Sequence, residues 1–498
     1  MTLTDTKQTS KDIDSTYVDV LIVGAGISGI GAAHHLRERF PDKTFALLDA
    51  LDGPGGTWRT HKYPGARSDS DLFTFGYSFK PWRGAAFATA EEIRNYLDEV
   101  IDEDQLAPVI HYQHRVIEAH WSSADEQWTL EVEQSDGARI RFVTPFLWMC
   151  QGYYEHDEGF SPTWPGMDQF TGQIVHPQHW PEDLDYAGKR VVVIGSGATA
   201  ATLIPAMANV TEHVTMLQRS PTFFLPRPAN LELVETLRKL DVPDEWVHDI
   251  ARRAYFAMGE EVINAANNDP DATRKMLLDL MRPHLPEGFE VEKHFNPSYR
   301  PWQQRIAVIP EADLFVAISE GRASVVTDTI ATFTETGIMT SSGTHIDADI
   351  VITATGFDLS CFGGIAFMLD DEPVDFSEQV THRGIMISNI PNMAYVFGYF
   401  RSSWTLRADL VSEYVIRLME KMQQEGNTVV VPRLGAAEAD MPKLPFMDPK
   451  NVSSGYMMRS QEKMFRQGDR EPWIHMKEFH EERDTLSKVS LDEGLTYH

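Results

Sequence analysis

Residues 18–40 read VDVLIVGAGISGIGAAHHLRERF, and residues 44–50 follow with TFALLDA. A β-rich run, Val18 to Val23, meets a glycine-rich turn and then a helical pattern to about Phe40. TFALLDA supplies a second strand, so the opening is a βαβ unit. Gly24, Gly26 and Gly29 form GxGxxG between strand and helix. The first glycine permits the tight turn, the second lets the backbone approach a pyrophosphate, and the third allows close helix–strand packing. The free N–H groups at the helix start then face the phosphates. Asp49 ends the second strand about twenty residues on, where a carboxylate accepts ribose hydroxyl hydrogens.

The same grammar returns at residues 189–208, KRVVVIGSGATAATLIPAMA, followed by HVTMLQRS at 213–220. Gly195, Ser196, Gly197, Thr199 and Ala200 occupy this second turn. Its second strand ends in Gln218-Arg219-Ser220 rather than in an acid. An acid there would repel a 2′-phosphate, whereas Arg219, with Ser220 beside it, would bind one. The first fold is therefore expected to take FAD and the second NADPH. The ATGFD at 354–358 is a strand end of the kind that returns towards the flavin in such folds. The fold class is α/β, with two Rossmann-like dinucleotide-binding domains.

Between Pro221 and Arg300 the pattern changes to amphipathic helices such as NLELVETLRKL and ATRKMLLDLMRPHL, broken by Pro226, Pro243, Pro270 and Pro283. The expected organisation is a flexible tail over 1–16 and an FAD-binding domain over 17–152 and 358–498. An NADP-binding domain covers 153–220 and 301–357, with a helical insertion over 221–300. One long helix is expected from Ser402 and Ser403, which would cap it, to a stop at Gly426. If it points at the flavin, its dipole favours negative charge there. Tyr399, Phe400 and Trp404, at its start, belong either to a substrate pocket or to the core.

The 498 residues carry a formal net charge of −30, which argues against nucleic acid or an anionic membrane as a main partner. No stretch approaches transmembrane length. Two distant cysteines, Cys150 and Cys361, fit a cytoplasmic location and exclude a redox CxxC pair. His176 and His179 form HxxH, but no acid or thiolate accompanies them and no metal is expected.

Three further stretches carry a family resemblance. Residues 170–181, FTGQIVHPQHWP, match FxGxxxHxxxWP through Phe170, Gly172, His176, Trp180 and Pro181. Gly55-Gly56-Thr57-Trp58, Tyr63-Pro64-Gly65 and Asp69 match a second fingerprint, and PWQQRIAVIPEADLF places Arg305. The chain resembles the type I Baeyer–Villiger monooxygenases from Val18 to about Gly426. Within them, YPGARSDSD, HPQHWPEDLDY, IGSGATA and ADLVSEYV are similar to the mycobacterial ethionamide-activating branch. The resemblance implies Arg305 as the catalytic arginine and a conformational role for the His176 motif. It also implies Ser28, Thr57, Trp58, Asp69 and Val116 as FAD contacts and Thr199 as an NADPH contact. Two departures stand out. Gln304 occupies a position where many relatives have a Lys that helps hold the NADPH phosphate, and Asp49 stands where they often have Glu.

In such enzymes reduced flavin reacts with O2 to a C4a-peroxide, a reactivity that belongs to the cofactor. The protein must supply a fixed cation, which Arg305 suits and Asp69 would hold in position. The expected function is FAD- and NADPH-dependent insertion of one oxygen atom of O2 beside a ketone carbonyl, with ketones or thioethers as substrates. The alternative is a sulfide- or nitrogen-oxidising flavin monooxygenase.

Overall fold

Val20–Val23 is fully buried or nearly so, and it sits between two parallel neighbours, Phe45–Asp49 and Leu147–Met149. An unbroken apolar run is what a parallel strand covered on both faces requires. Ile110–Tyr112 extends this sheet on one side. Met393–Tyr395 extends it in parallel on the other, followed by two short antiparallel strands. The chain thus returns to its first sheet after more than two hundred residues. The long helix Trp404–Glu425 then packs against Ile27–Arg39. The computed structural model describes residues 15–498.

A second sheet has five strands, all parallel, in the order Gln173–Val175, Ile350–Thr353, Arg190–Ile194, His213–Gln218, Ala323–Thr327. The two sheets solve the same steric problem twice. Gly24 has φ +107° and Gly195 φ +127°, both in the region that favours glycine. A Cβ on Gly24 would stand 2.5 Å from the Cys150 carbonyl oxygen, and one on Gly195 2.2 Å from that of Ala354. Each glycine turn is crossed by the end of a neighbouring strand, so no side chain fits. Between the sheets, Tyr154–Gly159 and Phe357–Leu359 pair antiparallel as a two-stranded linker.

A third, six-stranded sheet flanks the first and is built around Gln127–Gln134. Its edge corrects the tail expected over 1–16. Ser15 and Thr16 lie in a parallel strand, Ser15–Tyr17, opposite Arg141 and Phe142; residues 1–14 of that tail lie outside the described residues.

The 221–300 insertion holds the helices Glu232–Lys239, Asp244–Asn268 and Pro270–Met281. It is not helical from its start. Phe224–Arg227 is a strand paired in parallel with Ala307–Pro310. Pro243 and Pro270 start helices rather than break them, at the N-cap and first position, where a missing N–H costs nothing. Ser403 is the N-cap of Trp404–Glu425, but its side chain makes no capping bond. Its Oγ instead shares a hydrogen bond with Thr74 Oγ1 at 2.7 Å. Gly426 ends the helix at φ 74°. Among the described residues, no helix is long and apolar enough to cross a membrane.

Candidate active site

A cleft of about 450 Å³ runs along the first dinucleotide fold towards the second. Gly24, Gly26, Ser28, Asp49, Thr57, Trp58, Asp69 and Val116 all line it. Gly29 does not. It serves packing, since a Cβ there would stand 1.8 Å from the Gly24 carbonyl oxygen. One wall is backbone alone, with Gly26 against Gly56 so closely that a Cβ on either would meet the other's Cα at 3.6 or 3.3 Å. Asp49 accepts from the backbone N–H of Ala25 at 2.6 Å and of Leu51 at 2.8 Å. Burial raises its pKa, against the opposing pull of those two donors. Each carboxylate oxygen retains a second lone pair for an outside donor. Ser28 Oγ accepts from the indole Nε1 of Trp404 at 2.8 Å, which ties the long helix to the first turn.

The second fold contributes less to this cleft. Thr199 lines it, whereas Gly195, Ser196, Gly197, Ala200, Arg219 and Ser220 lie outside its lining. Ala200 is fully buried in the core of that fold. Gly197 has open space where a Cβ would stand. The Ser196 hydroxyl bridges the Ser220 carbonyl at 3.1 Å and Thr222 Oγ1 at 2.9 Å, binding the turn to the strand end. Arg219 and Ser220 are exposed there, and no acid lies within 4.0 Å of Arg219 among the described residues.

Arg305 and Asp69 meet in the cleft. Arg305 Nε donates to Asp69 Oδ2 at 2.6 Å and Nη2 to Oδ1 at 2.7 Å. Nη2 also donates to Ser70 Oγ at 2.8 Å, and Nη1 to the Phe400 carbonyl at 3.1 Å. Four of the five guanidinium N–H groups are thereby used, and one on Nη1 is uncommitted. Burial alone would lower the Arg305 pKa, but the Asp69 carboxylate outweighs it and the pKa is raised. The cation is fixed in both charge and direction.

Three tyrosines beside this pair were not legible as a group. Tyr153 donates to the Tyr154 hydroxyl at 3.0 Å, and Tyr456 lines the same cleft. Burial raises the pKa of all three, so they stand as neutral donors. Tyr153-Tyr154 directly follows the Cys150-Gln-Gly152 strand end, a signal available in sequence. Tyr456 comes from the helix Gly455–Ser460, and nothing local marks it. Tyr399, Phe400 and Trp404 also line the cleft.

The FxGxxxHxxxWP motif lies behind the cleft. Phe170 packs on Phe333, and a Cβ at Gly172 would stand 2.3 Å from the Asp349 carbonyl oxygen. Trp180 meets Tyr186 edge-on, and the Pro181 carbonyl accepts from the Leu184 N–H at 3.3 Å. His176 Nδ1 accepts from the Gln178 N–H at 3.2 Å while its ring lies on Gly159 of the linker.

The flavin-binding monooxygenase-like family matches residues 76–233, and an NAD(P)-binding Rossmann-like domain matches 22–100. The FAD-containing monooxygenase EthA of Mycolicibacterium smegmatis is 47% identical over 459 residues, 92% of each chain. The chain belongs to the FAD-containing monooxygenases. Among solved structures, oxidized steroid monooxygenase bound to NADP aligns at TM-score 0.75 and 23% identity, over 97% of this chain and 99% of that one. OTEMO in complex with FAD and NADP aligns at 0.74 and 20%, over 97% and 100%. These two share the fold. As an FAD-containing monooxygenase, the protein is an oxidoreductase with FAD and NADP as cofactors. The cleft fits FAD physically. Its glycine wall leaves room where Cβ atoms would intrude, and Asp49 stands at the end of the second strand with lone pairs to spare.

Proposed function

We propose that this monooxygenase inserts one oxygen atom of O2 beside a ketone carbonyl, giving an ester or lactone, with NADPH as the preferred reductant. In this reading, residues 17–152 and 358–498 hold FAD, and 153–220 with 301–357 hold NADPH. The insertion, with the strand Phe224–Arg227, forms a wall of the substrate site. The cytoplasm is the proposed location.

Bound FAD, reduced by NADPH, supplies the activation of O2. The chain supplies a fixed positive charge. The observation that carries the reading is the Arg305–Asp69 pair with one uncommitted Nη1 hydrogen. That N–H is a preorganised donor for the oxyanion that develops on a ketone oxygen during addition. Asp69 prevents the guanidinium from turning to follow the charge, so no reorganisation is needed at the moment of reaction. Aromatic side chains around it, among them Tyr153, Phe400 and Trp404, exclude water.

The test is ketone-dependent NADPH oxidation with matching O2 consumption and mass spectrometry of the product. An ester or lactone one oxygen heavier than the ketone supports the reading. Unchanged ketones beside rapid sulfoxide formation from thioethers would replace it with sulfide oxidation.

A further inference from the structure

A second cavity, of about 120 Å³, adjoins the Arg305–Asp69 pair on the side of the helical insertion. Its apolar wall comes mainly from one helix and one strand pair, and polar side chains such as Asp71, Ser402 and Glu478 line the rest. The helix Asp244–Asn268 contributes Tyr255, Phe256, Met258 and Ile263. The strand Phe224–Arg227 contributes Leu225 and Arg227, and its partner contributes Val308, with Ile306 just before it. Period-2 alternation explains the strand set, since residues two apart share a face.

Arg227 does not belong in an apolar wall unless something pairs with it. Its guanidinium has one weak contact, Nη1 to Met258 Sδ at 3.9 Å. Other sheltered arginines have firm partners: Arg401 pairs with Glu478 at 2.8 Å and Arg407 with Glu482 at 3.0 Å, while Arg252 donates to the carbonyls of Phe73 and Gly76 at 2.7 and 3.1 Å. Three of the acids lining this cavity are held by hydrogen bonds from other groups, and the fourth, Glu260, has a buried Oε1 with no hydrogen bond. Asp71 accepts from the Thr74 N–H and hydroxyl, both at 2.8 Å, and Glu260 faces Arg483 at 3.9 Å. Glu478 is held by Arg401 and Asp69 by Arg305. Among the described residues, no carboxylate oxygen lies within 4.0 Å of Arg227. Burial draws its pKa down, yet a guanidinium stays charged throughout the physiological range. Among the described residues this sheltered cation has no acid in direct contact; Asp71 acts on it only through space, and burial outweighs that pull.

The two arginines are related by one strand pair. Arg227 lies opposite Pro310, and Arg305 precedes that strand. At about 3.3 Å per residue, the two backbone positions are separated by about 16 Å along the strand. The apolar side of the cavity between them is formed by Leu225, Tyr255, Phe256, Ile263, Ile306 and Val308.

We propose that Arg227 binds the carboxylate of an acyclic substrate whose carbonyl or sulfur lies at Arg305, with an apolar chain between them. The inference rests on the oxygenation reading above for what happens at the Arg305 end. Carboxylate and guanidinium match as a two-bond fork, and the shelter of the wall strengthens the pair. Substrate preference then follows charge at the far end of the molecule, not only the group oxidised.

The test measures binding and turnover separately on the flavin-loaded enzyme. Isothermal titration with 9-oxodecanoate and with its methyl ester compares two ligands with the same ketone and chain, one ending in a carboxylate and the other in a neutral ester. The acid is expected to bind roughly 10- to 100-fold more tightly than the ester. Arg227→Gln should bring that ratio close to one, and Arg227→Lys should restore part of it. Equal binding of acid and ester by the wild type overturns the proposal without any variant being needed. So does a preference that survives Arg227→Gln. Arg227-dependent binding with no oxidation of either ligand would leave the anion site standing and sink the oxygenation reading. Oxidation of both without a charge preference would do the reverse.

Discussion

The ring of His176 lies on Gly159 so closely that a Cβ at position 159 would stand 2.0 Å from its Cε1. Gly159 ends the linker strand that pairs with Phe357–Leu359, and His176 precedes the turn Pro177–His179. The contact therefore places the linker against the segment that leads into the second dinucleotide fold, and the proposed role is to couple the two. Gly159→Ala must push the ring away while leaving both glycine turns intact. Flavin content should stay unchanged, and kcat/KM for NADPH should fall by roughly tenfold or more, about 1.4 kcal/mol. A double-mutant cycle with His176→Ala checks the cause: the two changes should be strongly non-additive. Simple additivity would show that the ring contact is not the link.

Arg219 is the expected discriminator between NADPH and NADH. It is exposed, and among the described residues no acid lies within 4.0 Å of it, which leaves its charge available to a phosphate. Gln304 offers no second cation, and its Nε2 is turned to Ser453, 3.3 Å from the carbonyl oxygen. Arg219→Ala should raise KM for NADPH by roughly tenfold or somewhat more at low salt and barely move KM for NADH. Added salt should shrink the difference, because an exposed charge is screened. Equal effects on both coenzymes would remove Arg219 from the site.

A group of histidines predicts how stability responds to acid. His61 stacks on Phe357 at 5.5 Å between ring centres. Burial, with His156 and His176 nearby, lowers its pKa to about 4. Burial also lowers the pKa values of His156 and His176. For each, the unfolded chain binds the proton more readily than the folded one. Stability should therefore be intact above the ordinary histidine pKa of about 6.5 and decline as pH falls from there towards about 4. One such proton gives a slope of up to about 1.4 kcal/mol per pH unit. Urea unfolding of the flavin-loaded enzyme between these limits should show this slope, and His61→Gln should make it shallower. An unchanged slope would place the titration elsewhere.

What the sequence revealed of this architecture was what it encodes locally. The run Val20–Val23, the turn at Gly24 and the strand end at Asp49 lie within one βαβ unit. Periodicity and glycine spacing therefore reach all of it. The strand Phe224–Arg227 was hidden because its partner, Ala307–Pro310, lies some eighty residues on, and Pro226 reads locally as a breaker. Ser403 reads as a helix cap, but a hydroxyl on another segment, Thr74, captures its side chain. The Arg305–Asp69 contact joins positions 236 residues apart, and only the family resemblance put both in view. Tyr456 and the Arg227 cavity had no such guide. They depend on how the C-terminal segment and the insertion fold back over the cleft.

Arg305→Ala is the sharpest test of the proposed chemistry. Asp69 and Ser70 would lose their guanidinium partner, but the glycine wall and Asp49 would be untouched, so FAD should remain bound. NADPH should still be consumed. Without the fixed cation, the oxygen taken up should leave as hydrogen peroxide, and ester formation should fall by about 10²- to 10³-fold. The loss should appear mainly in kcat, because the charge acts where negative charge develops rather than on the resting substrate. Arg305→Lys should recover little of this. An ammonium cannot keep the two parallel bonds to Asp69 at 2.6 and 2.7 Å while also reaching the Phe400 carbonyl and Ser70. The measurement is product formation set against O2 uptake and peroxide release in the same reaction. If Arg305→Ala converts a ketone at the wild-type rate with no rise in peroxide, the cation is structural and the donor for the developing oxyanion must be sought elsewhere. The neutral hydroxyls of Tyr153, Tyr154 and Tyr456 are then the groups to remove next.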